Sequence, residues 1–456
     1  MAEIQYPQFA RGRGPGFWLR PENLLSARQK IFRLDYSNEW RYSFGTTYPS
    51  DHSITVPDLI GSGHLPGDSY RFIVIGDTGE GDRSQYGLVP LIRALKPDFM
   101  IINGDIAYPA GRTTTNPDDD DFLNGFFKPY RNLGIPIWAT PGNHEYYSNN
   151  NGRDCFDIFC TRKFDARWAE YGLRHEILQP GMFWELRDDS SSSGLVVIGI
   201  DTGKAANLDG HNDWWQFWKR KIEPDTIQHT WLDSRLRRAE EENDKVIVMF
   251  HIPALVRERH AEDYIKIIHC ILTKYSCVQI VMCGHEHNYQ YYTPSTFRNY
   301  VQNKQSQNPI SRNDFPHYIV SGAGGAALAS TNFSAGPFQS HVRYPNEEQW
   351  NKFSEIGRRI VSSLNLEKGL IGKLVARIEE SAKDDGDVAM FLSFVLVEVN
   401  PKDVQKVTMT PVFMDDLENL FANYPAYEKI DVTREDLSIE PEKIEMCLKK
   451  EMSIKF

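Results

Sequence analysis

The sequence predicts an α/β fold whose strands deliver polar residues to one edge. Short apolar runs alternate with segments whose apolar residues recur at helical spacing. Strand after strand ends in Asp, Asn or His. The composition is ordinary for a globular protein, 41% hydrophobic and 25% charged, and 456 residues can bury a sizeable core without metal or disulfide staples.

The elements follow in order. Residues 1–68 carry Gly, Pro, Trp and Tyr with little periodicity and read as an extension wrapped on the main domain, which runs over 69–415. RFIVIGD, beginning at Arg71, is a buried strand, and SQYGLVPLIRALKPD is a helix. FMIINGD and IPIWATPGNH are the next strands, so the alternation predicts stacked βαβ units. MFWELRD, SSSSG and LVVIGID read as a hairpin with a loose turn. QHTWLDSRLRRAEEEND is an amphipathic helix before the strand KVIVMFH, and DYIKIIHCILTKYS is a helix before VQIVMCGHEH. HYIVSG is a further strand. Residues 340–385 are helical in pattern, which predicts a helical insertion at about 335–388. MFLSFVLVEVN and KVTMTPVF form a late strand pair expected to complete the main sheets, and 416–456 is a charged tail.

Charge and apolar runs exclude several classes. The net charge is −11, from 62 acids against 51 bases, so no nucleic acid is expected as the main partner. No run of about 18 apolar residues exists to span a membrane. The N-terminal residues have no apolar core of a signal peptide, which predicts a cytoplasmic protein. The six cysteines form no CxxC zinc pattern, and Cys155 and Cys160 are close enough to pair only if oxidised.

The strand ends carry the chemistry. RFIVIGD ends in Asp77, and FMIINGD ends in Asp105 with Tyr108 three residues on. IPIWATPGNH ends in Asn143 and His144, KVIVMFH in His251, and VQIVMCGHEH in His285 and His287. In α/β sheets, ligands gather beyond the carboxyl ends of the strands. A lone strand-end Asp is most often a turn or a helix cap, and a lone His a satisfied core histidine, but five such segments in order point to a metal site.

The ordered set GDTG, GDIAY, GNHE, VMFH and GHEH resembles the calcineurin-like metallophosphoesterases, and more narrowly the purple acid phosphatase branch. Many members of the wider superfamily have Asp-x-His in the first motif. Here it reads Asp77-Thr78-Gly79, and Tyr108 stands in for the missing histidine, as in purple acid phosphatases. The resemblance covers about 70–325 and the late hairpin. It implies a two-sheet sandwich flanked by helices, with a dimetal site at the strand ends. Carried over by position, one ion would be held by Asp77, Asp105, Tyr108 and His287, and the other by Asp105, Asn143, His251 and His285. Two carboxylates and a phenolate suit Fe(III), and two imidazoles with an amide oxygen suit divalent Fe, Zn or Mn.

The resemblance implies a phosphoric ester hydrolase in which a hydroxide held by the two ions attacks phosphorus in line. The expected substrate is a small phosphomonoester. A phosphodiesterase or pyrophosphohydrolase on the same centre is the alternative, and a non-catalytic metal-binding scaffold a minor one. His144 is the candidate to bind phosphate oxygens or assist the leaving group, with ligand orientation as its plainer role. His260, in the loop after His251, is a candidate acid or substrate contact.

Other signals have plainer readings. SGAGGAALA resembles a glycine turn that lets backbone approach the site rather than a dinucleotide fingerprint. Asp118 to Asp121 lacks calcium-loop spacing and reads as a solvated loop. Trp214, Trp215, Phe217 and Trp218 read as a helix packed on the core before they read as a substrate wall.

Overall fold

A computed structural model describes residues 53–61, 63–79, 81, 83–148, 150–188, 194–203, 225–253, 268, 270–298, 316–326, 342–344, 392–403, 406–414 and 439–456. His260, the Trp214–Trp218 cluster and nearly all of the 335–388 segment lie outside the described residues.

The strands in chain order are β1 Ser53–Thr55, β2 Tyr70–Ile75, β3 Phe99–Asn103, β4 Ile137–Thr140, β5 Trp184–Arg187, β6 Leu195–Gly199 and β7 Lys245–Met249. They continue with β8 Val278–Cys283, β9 Tyr289–Tyr292, β10 His317–Ser321, β11 Val342–Tyr344, β12 Leu392–Val399, β13 Val407–Met414 and β14 Ile454–Lys455. One sheet has eight strands in the order β1-β5-β6-β7-β8-β10-β9-β11, and the other six in the order β14-β13-β12-β2-β3-β4. Strands β2, β3 and β4 run parallel, as do β6, β7, β8 and β10. The late hairpin β12–β13 joins the sheet antiparallel to β2, so the expectation that it completes a main sheet holds.

Side-chain alternation explains why the central strands read as unbroken apolar runs. Phe72 and Val74 of β2 and Phe99 and Ile101 of β3 belong to one core with Ile247 and Met249 of β7 and Ile280 and Met282 of β8. That core lies between the sheets. Ile73, Ile75, Met100 and Ile102 point the other way, onto helix α1, Arg83–Ala94, which supplies Leu88, Leu91 and Ile92. Val246 and Val248 likewise meet Leu232 and Leu236 of helix α2, Thr226–Glu241. With a period of two and both faces covered, successive positions of such a strand are apolar; the polar exceptions are Arg71, Lys245 and Gln279, each in the first two residues of its strand, and Asn103, the last residue of β3.

Four strands differ from the sequence reading. Val342–Tyr344, in the segment expected to be helical, is a strand on the sheet edge beside β9. Strand β9 begins one residue after GHEH and carries Tyr and Gln, so its pattern is weakly apolar. Ser53–Thr55, in the aperiodic N-terminal stretch, pairs with β5, and Ile454–Lys455, in the charged tail, pairs with β13. All four are short strands whose pairing comes from a distant partner rather than from a local pattern.

The acidic run is only half solvated. Asp118 is exposed, but Asp120 and Asp121 are buried, the first paired with Arg167 at 2.9 Å and the second with Arg112 at 2.9 Å. A buried carboxylate needs such a partner.

Candidate metal centre

The carboxyl ends of β2, β3, β4, β7 and β8 converge at one rim. Asp77 and Asp105 each follow a strand by a glycine and take positive φ, 57° and 50°, as does His285 at 70°. Non-glycine residues in the left-handed region are uncommon, and functional sites collect them. Backbone bonds hold these turns together. Asp77 N–H donates to Gly104 O at 3.0 Å, Tyr108 N–H to Gly79 O at 2.9 Å, and Gly284 N–H to His251 O at 2.9 Å. Gly104 has φ 84°, and a Cβ there would lie 2.2 Å from His251 Nδ1, so both the turn and the packing require glycine.

All seven expected ligands meet in two overlapping groups. In the first, the Tyr108 hydroxyl lies 3.3 Å from Asp77 Oδ1, 3.1 Å from Asp105 Oδ2 and 3.2 Å from His287 Nε2. His287 Nε2 is 3.3 Å from Asp77 Oδ1. In the second, His251 Nε2 is 3.2 Å from Asp105 Oδ2 and 3.1 Å from Asn143 Oδ1, and His285 Nδ1 is 2.9 Å from Asn143 Oδ1. Donor atoms of Asp105, His251 and His285 all lie within 4.8 Å of one another. Asp105 belongs to both groups.

The donor chemistry fits cations. Asp77 and Asp105 are buried and close together, and among the described residues no Lys or Arg forms an ion pair with either. Burial pulls the His251 imidazole down, but the Asp105 and Asp77 carboxylates push it up further, to about 10. Burial pushes the Asp105 carboxyl up, and His251 with His144 outweighs it, holding the group well below the usual carboxylate range. Both shifts express one field, which calls for positive charge between the carboxylates. His251 Nδ1 lies 3.0 Å from Asn103 O, a group that can only accept. Nδ1 therefore carries a proton, so a cation that displaced the Nε2 proton would meet the Nε2 lone pair of a neutral ring.

His144 sits beside this cluster. Its N–H donates to Asp105 Oδ1 at 2.9 Å, and its Nδ1 donates to Pro109 O at 2.7 Å. Nε2 is thereby turned toward the site, 3.8 Å from Asp105 Oδ2. The ring lies between Tyr108 and Tyr147, with centroids 4.2 Å and 4.7 Å away.

Sequence reasoning missed Glu145. It is wholly buried behind the cluster. Its Oε2 accepts the N–H groups of Asp105 at 3.0 Å and Gly142 at 2.6 Å. Its Oε1 accepts those of Ile106 at 2.8 Å and Ala107 at 3.2 Å. One carboxylate thus ties the GDIAY turn to the GNHE turn. Burial and the Asp105 carboxylate push it up to about 8, against the pull of the Gly142 and Ala107 N–H groups. The available signal was an acid directly after two site residues. The glycine turn after β10 behaves as expected: Gly324 N–H donates to Gly76 O at 3.0 Å, and a Cβ on Gly322 would lie 2.7 Å from Asp77 Oδ2.

Two mixed sheets with this cluster at their strand ends define a metallophosphoesterase, and residues 70–289 match the family model of calcineurin-like phosphoesterases. Within that superfamily the chain resembles the purple acid phosphatases, and it is a phosphoric ester hydrolase. Tartrate-resistant acid phosphatase type 5 of Mus musculus is 24% identical over 321 residues, spanning 65% of this chain and 86% of the relative. The Homo sapiens protein of that name is 23% identical, over 56% of this chain and 72% of its own. Among solved structures, GAP50, the anchor in the inner membrane complex of Plasmodium, aligns with a TM-score of 0.46 at 14% identity, covering 76% of this chain and 84% of that one. A dimetal phosphatase from Danio rerio aligns with a TM-score of 0.35 at 13% identity, covering 56% and 88%. Among the described residues, no helix is long and apolar enough to cross a membrane.

Proposed function

We propose that this chain is a dimetal phosphomonoesterase resembling the purple acid phosphatases. The observation that carries the reading is the phenol of Tyr108 among Asp77, Asp105 and His287, adjoining the Asn143, His251 and His285 group through Asp105. Asp77, Asp105, Tyr108 and His287 would hold Fe(III), and Asp105, Asn143, His251 and His285 a divalent Fe, Zn or Mn. When bound, two such ions supply Lewis-acid charge to a phosphoryl group and lower the pKa of water.

The chain's own residues supply position and proton control. The Nδ1–H of His144 is held by Pro109 O, leaving Nε2 to meet a phosphate oxygen or the leaving oxygen. Tyr108 and Tyr147 fix its ring plane. His260 is kept as a candidate acid by its place in the loop after His251. Monoester preference is supported by the similarity to acid phosphatases along 86% of the mouse relative's length.

The test is the hydrolysis rate of an aryl phosphate monoester against the matching diester, on protein with intact metal and on chelator-treated protein. Monoester preference, lost with metal and restored by its return, is expected. Diester preference would move the chain to the phosphodiesterases. Hydrolysis of neither would favour a scaffold.

A further inference from the structure

The proposed ligands come from both sheets, so the gap between the sheets sets the shape of the centre. Asp77, Asp105, Tyr108 and Asn143 follow β2, β3 and β4 of the six-stranded sheet, and His251, His285 and His287 follow β7 and β8 of the eight-stranded one. Asn103, the last residue of β3, lies at that gap. It continues the row of Phe99 and Ile101 that faces the core between the sheets, and it is wholly buried. Its Nδ2 donates across the gap to Met282 O of β8 at 3.0 Å, and its Oδ1 accepts the Thr140 hydroxyl of neighbouring β4 at 2.7 Å. The amide can turn only this way, because a backbone carbonyl accepts and never donates; the reverse would set Oδ1 against Met282 O. Met282 O also accepts the N–H of Phe250, the residue before His251, at 3.0 Å. The backbone carbonyl of Asn103 meets the His251 ring itself, 3.0 Å from Nδ1. Gly76 and Gly284 let the chains close on that carbonyl, since a Cβ would lie 3.1 Å and 2.7 Å from it. One residue thus holds His251 twice, at its backbone through Met282 and at its ring.

We propose that Asn103 is a positioning residue which ties the two sheets at the rim and so sets the affinity of the divalent-metal site. The inference rests on the proposed centre and deepens it. Of the four residues assigned to the divalent ion, Asp105 and Asn143 belong to one sheet, and His251 and His285 to the other. A slip between the sheets moves half of these donors against the other half. The Fe(III) group keeps Asp77, Asp105 and Tyr108 on one sheet, and only His287 comes across the gap. Partners that orient a metal-ligating histidine typically govern affinity by about 10–100-fold. Loss of the tie therefore weakens the divalent site first.

The experiment strips the full chain of metal, reloads it with Fe(III) and titrates Zn(II), with urea unfolding of the chelated protein measured alongside. Asn103→Leu nearly keeps the shape, removes both amide bonds and orphans the Thr140 hydroxyl. Its urea midpoint should fall, and its Zn(II) affinity should fall about 10–100-fold, while the visible band of Fe(III) bound by tyrosinate stays in place. Adding Thr140→Val replaces both partners by apolar groups of like shape, a change that is nearly neutral for stability. In that double variant the urea midpoint should recover and the Zn(II) affinity should not. Thr140→Val alone orphans Oδ1 within one sheet but leaves Nδ2 on Met282 O. It should lower the urea midpoint and leave Zn(II) affinity within about twofold of wild type, the scatter expected of independent sites. Wild-type Zn(II) affinity in a variant lacking the amide overturns the inference. So does affinity that follows the urea midpoint through all three variants, the mark of a residue that only stabilises the fold. Should Asn103→Leu fail to fold alone, the double variant compared with Thr140→Val decides. Wild-type protein that takes up no metal overturns the centre itself, and this inference with it.

Discussion

Replacing Glu145 with glutamine keeps the side chain's length and removes one of its two acceptor oxygens. The carboxylate accepts four backbone N–H groups, two on each oxygen, from Asp105, Gly142, Ile106 and Ala107. Whichever way the new amide turns, two N–H donors lose their acceptor and face an NH2 group instead. An orphaned buried donor costs about 1–3 kcal/mol, so the pair costs about 2–6 kcal/mol. The burial that pushes the carboxyl up to about 8 favours a neutral side chain and offsets part of this. The offset is incomplete, because a protonated carboxyl brings one O–H, whereas the amide brings two N–H. Against a total stability of about 5–15 kcal/mol, the loss is large. The damage also falls on the Asp105 turn, so metal content should drop along with stability. Urea unfolding of the chelated protein measures the first effect, and metal analysis after reloading measures the second. A variant within about 0.5 kcal/mol of wild type, the range of surface substitutions, would refute the account of Glu145 as the tie between the two turns.

Two further predictions concern the cluster itself. Tyr108→Phe removes the phenol from the Asp77, Asp105 and His287 group, so iron-loaded protein should lose its tyrosinate-to-Fe(III) absorption; an unchanged visible spectrum would exclude Tyr108 as a ligand. In Gly142→Ala the new Cβ would stand 2.1 Å from Asp105 Oδ1 and 2.3 Å from Asp105 N, both fixed by their surroundings. A displacement of about 1 Å at a reacting centre can cost about 100-fold, so kcat should fall by that order; turnover within twofold of wild type would contradict the packing.

Much of this architecture was legible in the chain, and the reason is physical. Strands β2, β3, β7 and β8 are covered on both faces, so apolar residues run consecutively up to the rim and stop abruptly there. The same abrupt ends mark Asp77, Asp105, His251 and His285. Edge strands left no comparable mark. Val342–Tyr344 needs only one neighbour, β9, and its three residues follow no period. Glu145 was invisible for a different reason. It acts through hydrogen bonds whose partners are set by the close approach of two turns, and an acid after Asn-His has no local pattern to separate it from a solvated one.

The sequence by itself determined the class of chemistry, because ligand type is a property of side chains and the order of strand-end motifs survives in the linear chain. It also determined the α/β character, because periodicity is local. Only the tertiary structure decided which oxygens and nitrogens face one another, which way the Asn143 amide turns, and what holds Asp105 at a positive φ. Those depend on distances between residues far apart in the chain: 148 positions separate Asn103 from His251, and 142 separate Asn143 from His285. Such distances are fixed only when the sheets pack and the backbone groups at their rims find partners.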